Sequence, residues 1–552
     1  MESGEVSVLI GGKAGEGISS AGQIVAHLLG QKGYRVHMYF DYPSLIKGGH
    51  NFAIVRGAEG KVGAVRESVD FILALNQETV DLHRSRLSAG GVIIHDTGTV
   101  KSSDGIGVPV KEILDAEKAP PVMGNSVFIG AFARAAGIGW ETAEAVLRKS
   151  MPKGTEQNLR VARRAYDRAE ERLKIPGTGG TCLPVMTGNE AMGIGLVEGG
   201  LRAYFAYPMS PASNLLHFLA GSQDELQIRV IQPESEIAVI LMALGCSYAG
   251  TRAAVGTSGG GFCLMTESLG LAGIAELPVV IVLGQRTGPS TGLATYTAQA
   301  DLHFALNAGQ GEFPRLIVAP GDADEARTWS QRAMELAWKY QLPAIVLADR
   351  IICEGLYSVD RSPAPDAIAD LVFDTGPRPY NRYAYSETGI SPLRFPPAKG
   401  EVIRVNSHVH DPDGITTEHP ETTRRMADKR MRKMSGLRAE LEGMAPVSLA
   451  GDASAADAIL CWGSTKGICG ELGSDMGLRV VRPVVLHPFP EKAFAAAMAG
   501  VKRFWMVEEN ETAQLGRLVR EHGYLPEGNI LKYDGRPFFV NELAGELKKV
   551  VV

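Results

Sequence analysis

The chain has 552 residues, which at about 150 residues per domain allows three to four domains. With 56 basic and 62 acidic residues its net charge is −6, which argues against the basic face of a nucleic-acid-binding protein. Six cysteines with no CxxC pair argue against a disulfide scaffold, a zinc site or an iron–sulfur cluster on this chain, so no metal is expected here. The start, MESGEVSVLIGG, lacks a basic stretch before its short apolar run, so no signal peptide is expected. The most apolar long window, Ile237 to Val255, is broken by Ser247, Thr251 and Arg252. No membrane segment and a cytoplasmic location are expected. Glycine is the outlier: 65 residues, about 12%, against a usual figure near 7%. Without a collagen-like period the excess belongs in tight turns and close backbone approaches.

Short β-branched runs alternate with longer amphipathic stretches, which predicts an α/β fold of several parallel-sheet domains. Strands are expected at 6–10, 34–40, 51–56, 69–75 and 91–96, with a helix over 18–31 after a glycine-rich turn. The segment IPGTGGTCLP, 175–184, reads as an interdomain linker. Beyond it, strands are expected at 203–208, 226–231, 251–257, 278–284, 315–320 and 344–349. Residues 376–454 read as an excursion and a connecting helix. In that helix Met431, Met434, Leu437 and Leu441 fit one apolar face, and the basic run Arg424 to Lys433 should cover the solvated side. Strands at 457–463, 478–486 and 502–509 and a helix over 540–550 complete the chain.

GGKAGEG, 11–17, joins a strand to a helix, where free N–H groups favour an anion. It matches neither the dinucleotide fingerprint, whose third glycine would fall on Ser20, nor the Walker A loop. It reads first as a tight turn and second as an anion loop using Gly12, Lys13, Gly15 and Gly17, with Arg56 and the stretch 47–51 nearby. A second glycine loop, GTSGGGF (256–262), has three companions: YPMSPAS (207–213), QPESEIAVI (232–240) and GQRTGPSTGL (284–293). Each follows the C-terminal end of an expected strand, where open α/β sheets bind ligands. His408, His410 and His419, beside Asp411 and Asp413, read as loop structure rather than metal ligands.

At these four segments the sequence resembles the α subunit of 2-oxoacid:ferredoxin oxidoreductases, thiamine diphosphate enzymes related to pyruvate:ferredoxin oxidoreductase. TSGGGFCLMTE (257–267) and QRTGPSTGL (285–293) carry the resemblance, and GEGISSAGQ with PSLIKGGHNFAIVR (43–56) resembles the family's γ domain. The resemblance implies a γ domain over 1–174 and a pyrimidine-side thiamine domain over 185–375. A transketolase C-terminal-like domain would follow over 455–552. The fused γ–α order and the run RRMADKRMRKM (424–434) favour the 2-oxoglutarate branch.

The resemblance also implies roles. The family's carboxylate that promotes the imino tautomer of the thiamine aminopyrimidine falls on Glu236, where a plain reading of the residues is a first-turn glutamate serving the helix dipole. Ser210, in YPMSP for the family's Tyr-Pro-Ile-Thr-Pro, takes the hydroxyl role toward substrate, and Arg286 the oxoacid carboxylate. Tyr207, Pro208, Met209, Ser258 and Gly259 would face the cofactor, and the loop at Gly12 to Gly17 would suit coenzyme A.

No Gly-Asp-Gly motif for Mg²⁺ and diphosphate occurs, nor any cluster spacing. In the family a β subunit carries both that motif and a [4Fe–4S] cluster. The resemblance therefore implies an α2β2 assembly that shares thiamine diphosphate and Mg²⁺ between subunits. It would convert 2-oxoacid and coenzyme A to acyl-CoA and CO₂ with ferredoxin as electron carrier, or run in reverse as reductive carboxylation, the CO₂-fixing direction. Two alternatives stay open: the same chemistry on pyruvate or a branched 2-oxoacid, and a non-catalytic nucleotide-binding or scaffolding subunit.

Overall fold

Three sheets, distributed over two compact units, organise the protein in a computed structural model that describes residues 4–44, 49–101, 104–360, 371–376 and 379–551. The first unit comprises Met1–Thr187, Glu354–Arg361 and Phe538–Val552. The second comprises Gly188–Cys353 and Ser362–Pro537.

The first unit holds an eight-stranded sheet that is mixed rather than parallel. Glu5–Lys13 runs parallel to Val69–Ala74 on one side, and Val69–Ala74 pairs in parallel with Leu87–Asp96. On its other side Glu5–Lys13 meets His50–Ala58 antiparallel, and that strand pairs antiparallel with Arg35–Asp41. The short segment between Arg35–Asp41 and His50–Ala58 leaves no room for a crossover helix, so the two strands return on each other. Leu356–Ser358 and Val185–Thr187 extend this antiparallel half. Helices Ile18–Gln31, Gly124–Ala135 and Thr155–Arg168 cover the sheet, with Ile24, Val25, Leu28, Phe128, Phe132 and Leu159 buried.

The second unit holds a seven-stranded sheet whose members, from one edge, are Val485–His487, Leu316–Val318, Pro343–Asp349, Val279–Gln285, Ala253–Ser258, Ala203–Ala206 and Arg229–Ile231. All pairs are parallel except the edge pair of Leu316–Val318 with Val485–His487. The chain passes from Ala203–Ala206 outward to Arg229–Ile231, then returns to the other side at Ala253–Ser258. The strand order therefore reverses about Ala203–Ala206, which opens a crevice at the strands' C-terminal ends. The unit's other sheet has five strands, with Asp457–Leu460 parallel to both Arg479–Pro483 and Arg503–Glu508.

The connecting helix spans Pro420–Glu442, and only half of its basic run lies on the solvated side: Arg424, Arg425 and Arg432 are exposed. Lys429 and Lys433 are each 1% exposed and Arg430 is buried, whereas Met431 is 46% exposed. The cause is Glu276, which caps the end of helix Gly259–Ala275 in the left-handed conformation and is itself buried. Lys429 Nζ donates to Glu276 Oε1 at 2.8 Å and Oε2 at 3.0 Å, and Lys433 Nζ pairs with Oε2. Arg382 adds a hydrogen bond to the Glu276 carbonyl at 2.8 Å. An acid distant in sequence thus draws in charges that helical periodicity assigns to water.

Among the described residues no helix is long and apolar enough to cross a membrane. The six cysteines are free thiols, and no cluster of three or more metal-ligating side chains occurs among the described residues.

Candidate functional site

Four loops leave the C-terminal ends of neighbouring parallel strands in the second unit, and each carries a residue expected from the sequence. Glu236 opens helix Glu236–Tyr248 just beyond Arg229–Ile231 and is 4% exposed. Its Oε1 is fully buried and has no hydrogen-bond partner among the described residues. An ionised or neutral carboxyl left so is costly unless a ligand completes it.

Gly261 is what lets the carboxyl stand there. A Cβ on Gly261 would fall 2.6 Å from Glu236 Oε1, 2.7 Å from its Cγ and 2.2 Å from Thr257 Oγ1. Glycine in this first turn of helix Gly259–Ala275 is thus a close approach, not a swivel. Gly256, one strand turn earlier, makes room for the Tyr204 hydroxyl, which lies 1.9 Å from where a Cβ would be. Burial raises the Tyr204 phenol, and it too lacks a partner.

Ser258 ends strand Ala253–Ser258 beside Gly284 and precedes the helix as its N-cap, yet its side chain makes no capping bond. Its Oγ is buried and unpartnered, as is Gln285 Nε2 on the adjacent strand. Buried orphan atoms on Glu236, Ser258 and Gln285 therefore gather at one sheet edge. Such a set suits a heteroaromatic ligand with donors and acceptors along its rim.

Segment 207–210 follows Ala203–Ala206. Tyr207 is 40% exposed, Pro208 is exposed, and Met209 and Ser210 are half-buried. Arg286 Nη1 donates to the Ser210 carbonyl at 3.0 Å, which ties this segment to the end of strand Val279–Gln285. That is the one hydrogen bond of the Arg286 guanidinium among the described residues, so its other N–H groups are left for a carboxylate. Burial lowers the Arg286 pKa and Asp301 opposes the effect.

Asp301 and Gln285 were not legible as site residues. Gln285 Oε1 accepts the Asp301 N–H at 3.0 Å, and burial pushes the Asp301 carboxyl up to about 6 although Arg286 pulls it down. No local motif marks Asp301; only the fold carries it next to Gly259 and Arg286.

In the first unit the glycine loop differs from expectation in where the strand ends. Gly12 and Lys13 belong to strand Glu5–Lys13, and the turn proper is Ala14 to Gly17, with Gly15 and Gly17 at φ 91° and 71°. The loop's own Glu16 carboxylate accepts the Lys13 N–H at 2.6 Å. Arg56 is buried and paired with Glu5 at 2.8 Å, so it does not serve that loop. Lys47 and Gly48 lie outside the described residues. His410 Nδ1 donates to the His408 carbonyl at 2.8 Å and its ring packs at a tilt against Tyr383, while Asp411 caps its own turn, so these residues hold a loop together.

The family model for the thiamine diphosphate-binding domain of pyruvate flavodoxin/ferredoxin oxidoreductases matches residues 194–429. The pyruvate ferredoxin/flavodoxin oxidoreductase model matches residues 7–168. The 2-oxoacid:ferredoxin oxidoreductase 2, subunit alpha, of Aeropyrum pernix is 30% identical over 99% of this chain and 98% of its own length. The 2-oxoglutarate oxidoreductase subunit KorA of Mycobacterium tuberculosis is 30% identical over 65% of this chain and 56% of its own. Among solved structures, 2-oxoglutarate:ferredoxin oxidoreductase from Magnetococcus marinus, with 2-oxoglutarate, coenzyme A and succinyl-CoA bound, superposes with a TM-score of 0.88. It is 27% identical and covers 99% of this chain and 100% of that one.

Proposed function

Since the chain belongs to the 2-oxoacid:ferredoxin oxidoreductase α-subunit family, and is an enzyme subunit on that ground, we propose that it binds thiamine diphosphate at the crevice described above and acts on 2-oxoglutarate. The observation that carries this reading is the buried, partnerless Glu236 Oε1 with Gly261 against it. Thiamine diphosphate, when bound, supplies the nucleophilic carbon and electron sink that decarboxylation of a 2-oxoacid needs.

The chain's own residues do the rest. Glu236 holds a proton at Oε1 for the aminopyrimidine, and Ser258 and Gln285 satisfy the polar rim of the ring. Arg286 takes the oxoacid carboxylate through its free N–H groups, and its bond to the Ser210 carbonyl fixes its aim. Ser210 offers its hydroxyl to the same end of the substrate. Tyr207, Pro208, Met209 and Gly259 wall the cofactor. The net change is 2-oxoglutarate and coenzyme A to succinyl-CoA, CO₂ and a proton, with two electrons passing to ferredoxin. The solved relative with 2-oxoglutarate, coenzyme A and succinyl-CoA bound supports that choice of substrate.

A β subunit completes the enzyme in this reading. It would bring the Mg²⁺-diphosphate motif and the [4Fe–4S] cluster that this sequence lacks, in an α2β2 assembly in the cytoplasm. In the complex, Glu236→Gln should abolish 2-oxoglutarate-dependent reduction of ferredoxin or a dye while assembly persists. Near-normal turnover would overturn the assignment.

A further inference from the structure

The Asp301 carboxylate makes no hydrogen bond or ion pair among the described residues, although its position is set from two sides. Gln285 Oε1 holds its N–H at 3.0 Å, and a Cβ on Gly259 would fall 2.9 Å from Asp301 Oδ2 and 3.0 Å from Oδ1. The carboxylate is thus laid over the first turn of helix Gly259–Ala275, beside the guanidinium assigned to the oxoacid. The two feel each other's charge without an ion pair between them, and the one hydrogen bond of the Arg286 guanidinium goes to the Ser210 carbonyl.

Resting on the oxoacid reading above, we propose that Asp301 is a positioning residue whose carboxylate competes with the substrate's carboxylate for Arg286, so that oxoacid binding draws a proton onto Asp301. Two carboxylates confronting one guanidinium in a partly desolvated corner cannot both stay ionised without cost. Asp301 is the one that yields, since burial has already brought its carboxyl up to about 6 and a second anion raises it further. Protonated, it leaves Arg286 to the substrate and becomes a donor.

The segment bonded to Gln299 brings two further acids, Glu508 and Glu509, of which Glu508 accepts from Trp462, Asn510 and the Leu515 and Gly516 N–H groups. Arg286 is the one charged group that acts on Asp301. His303, on the same short helix, turns its ring to the Gln514 carbonyl at 3.0 Å. Strand Val279–Gln285 contributes the neutral Gln285, and helix Gly259–Ala275 has no acidic residue in its first turn. Glu236 lies against Gly261 rather than Gly259.

The test is calorimetry on the assembled α–β complex with N-oxalylglycine, which keeps both carboxylates and the 2-oxo group of 2-oxoglutarate but resists attack at its amide carbonyl. Titrations at pH 7.5 in buffers of different ionisation heat count the protons taken up. Wild type should take up close to one proton per site, and its dissociation constant should rise by up to about tenfold per pH unit above the Asp301 pKa. Asp301→Asn should bind at least as tightly at pH 7.5 with neither uptake nor slope, and Asp301→Glu should retain the uptake. Unchanged proton uptake in Asp301→Asn overturns this proposal alone, provided Arg286→Gln loses binding. If wild type binds no N-oxalylglycine, or Arg286→Gln binds as wild type does, the oxoacid reading fails and takes this one with it.

Discussion

Glu236 and Gly261 are matched to each other: the carboxyl oxygen of one lies 2.6 Å from where the other would carry a Cβ. Neither residue explains itself alone. A buried carboxyl at a helix start is a dipole companion in many proteins, and a helical glycine is a weak point.

Gly261→Ala tests the match directly. In an unconstrained helix the change would stabilise by about 0.5–1 kcal/mol. Here the methyl meets Thr257 Oγ1 and Glu236, so a loss of roughly 1–3 kcal/mol is expected from overpacking. Turnover of the complex should fall by about 100-fold or more, with far-ultraviolet circular dichroism unchanged. Wild-type rates with a stabilised fold would show that the carboxyl has room to move.

Arg286→Lys keeps the charge and removes the planar fork. Losing one charge-assisted hydrogen bond of about 1.5–3 kcal/mol should raise KM for the oxoacid by roughly ten- to a hundredfold. Steady-state kinetics of the complex should show KM moving more than kcat. An unchanged KM would remove Arg286 from substrate binding.

The buried cluster of Glu276, Lys429 and Lys433 predicts an asymmetry. Burial pushes the Lys433 ammonium down to about 7 although Glu276 opposes it, so the second lysine is held at a cost. Glu276→Gln strands two buried ammonium groups and should destabilise by about 3–5 kcal/mol. Lys433→Met leaves the 2.8 Å Lys429–Glu276 pair and should stay within roughly 1–2 kcal/mol of wild type, or gain. Urea denaturation of both variants decides it; equal losses would contradict the argument.

Two imidazoles of the first unit predict acid sensitivity. Burial pushes His37 down to about 4, and burial with His50 and Arg86 pushes His83 down to about 3. Both are neutral in the fold, while the unfolded chain protonates near 6.5. Between those values the unfolded state binds more protons, so stability is full above about 6.5 and falls as pH drops toward 4. Each group contributes a slope of at most about 1.4 kcal/mol per pH unit. Denaturant titrations at pH 7.5 and 4.5 should show the loss, and His37→Gln should make it shallower; a flat profile would refute it.

The helix 18–31, the six parallel strands of the second unit and the loops after them were legible because each is a local pattern: an apolar period, then glycine, proline or a hydroxyl residue. The roles given to Glu236, Ser258 and Arg286 came from the family resemblance of those loops, because the residue types alone read equally as a helix-start carboxylate, a hydroxyl cap and a strand-end arginine. The antiparallel half of the first sheet was not legible, because strand direction depends on how the chain turns between Asp41 and His50, where apolar content carries no direction.

The sequence by itself determined the α/β class and the family, since these rest on short-range composition and motif. Only the tertiary structure decided that Gly261 makes room for Glu236, that Asp301 stands beside Arg286, and that Lys429 and Lys433 turn inward to Glu276. Each of those is a meeting of residues from separate strands and helices. Its energy comes from burial and distance, and neither exists until the sheet has brought the loops to one edge.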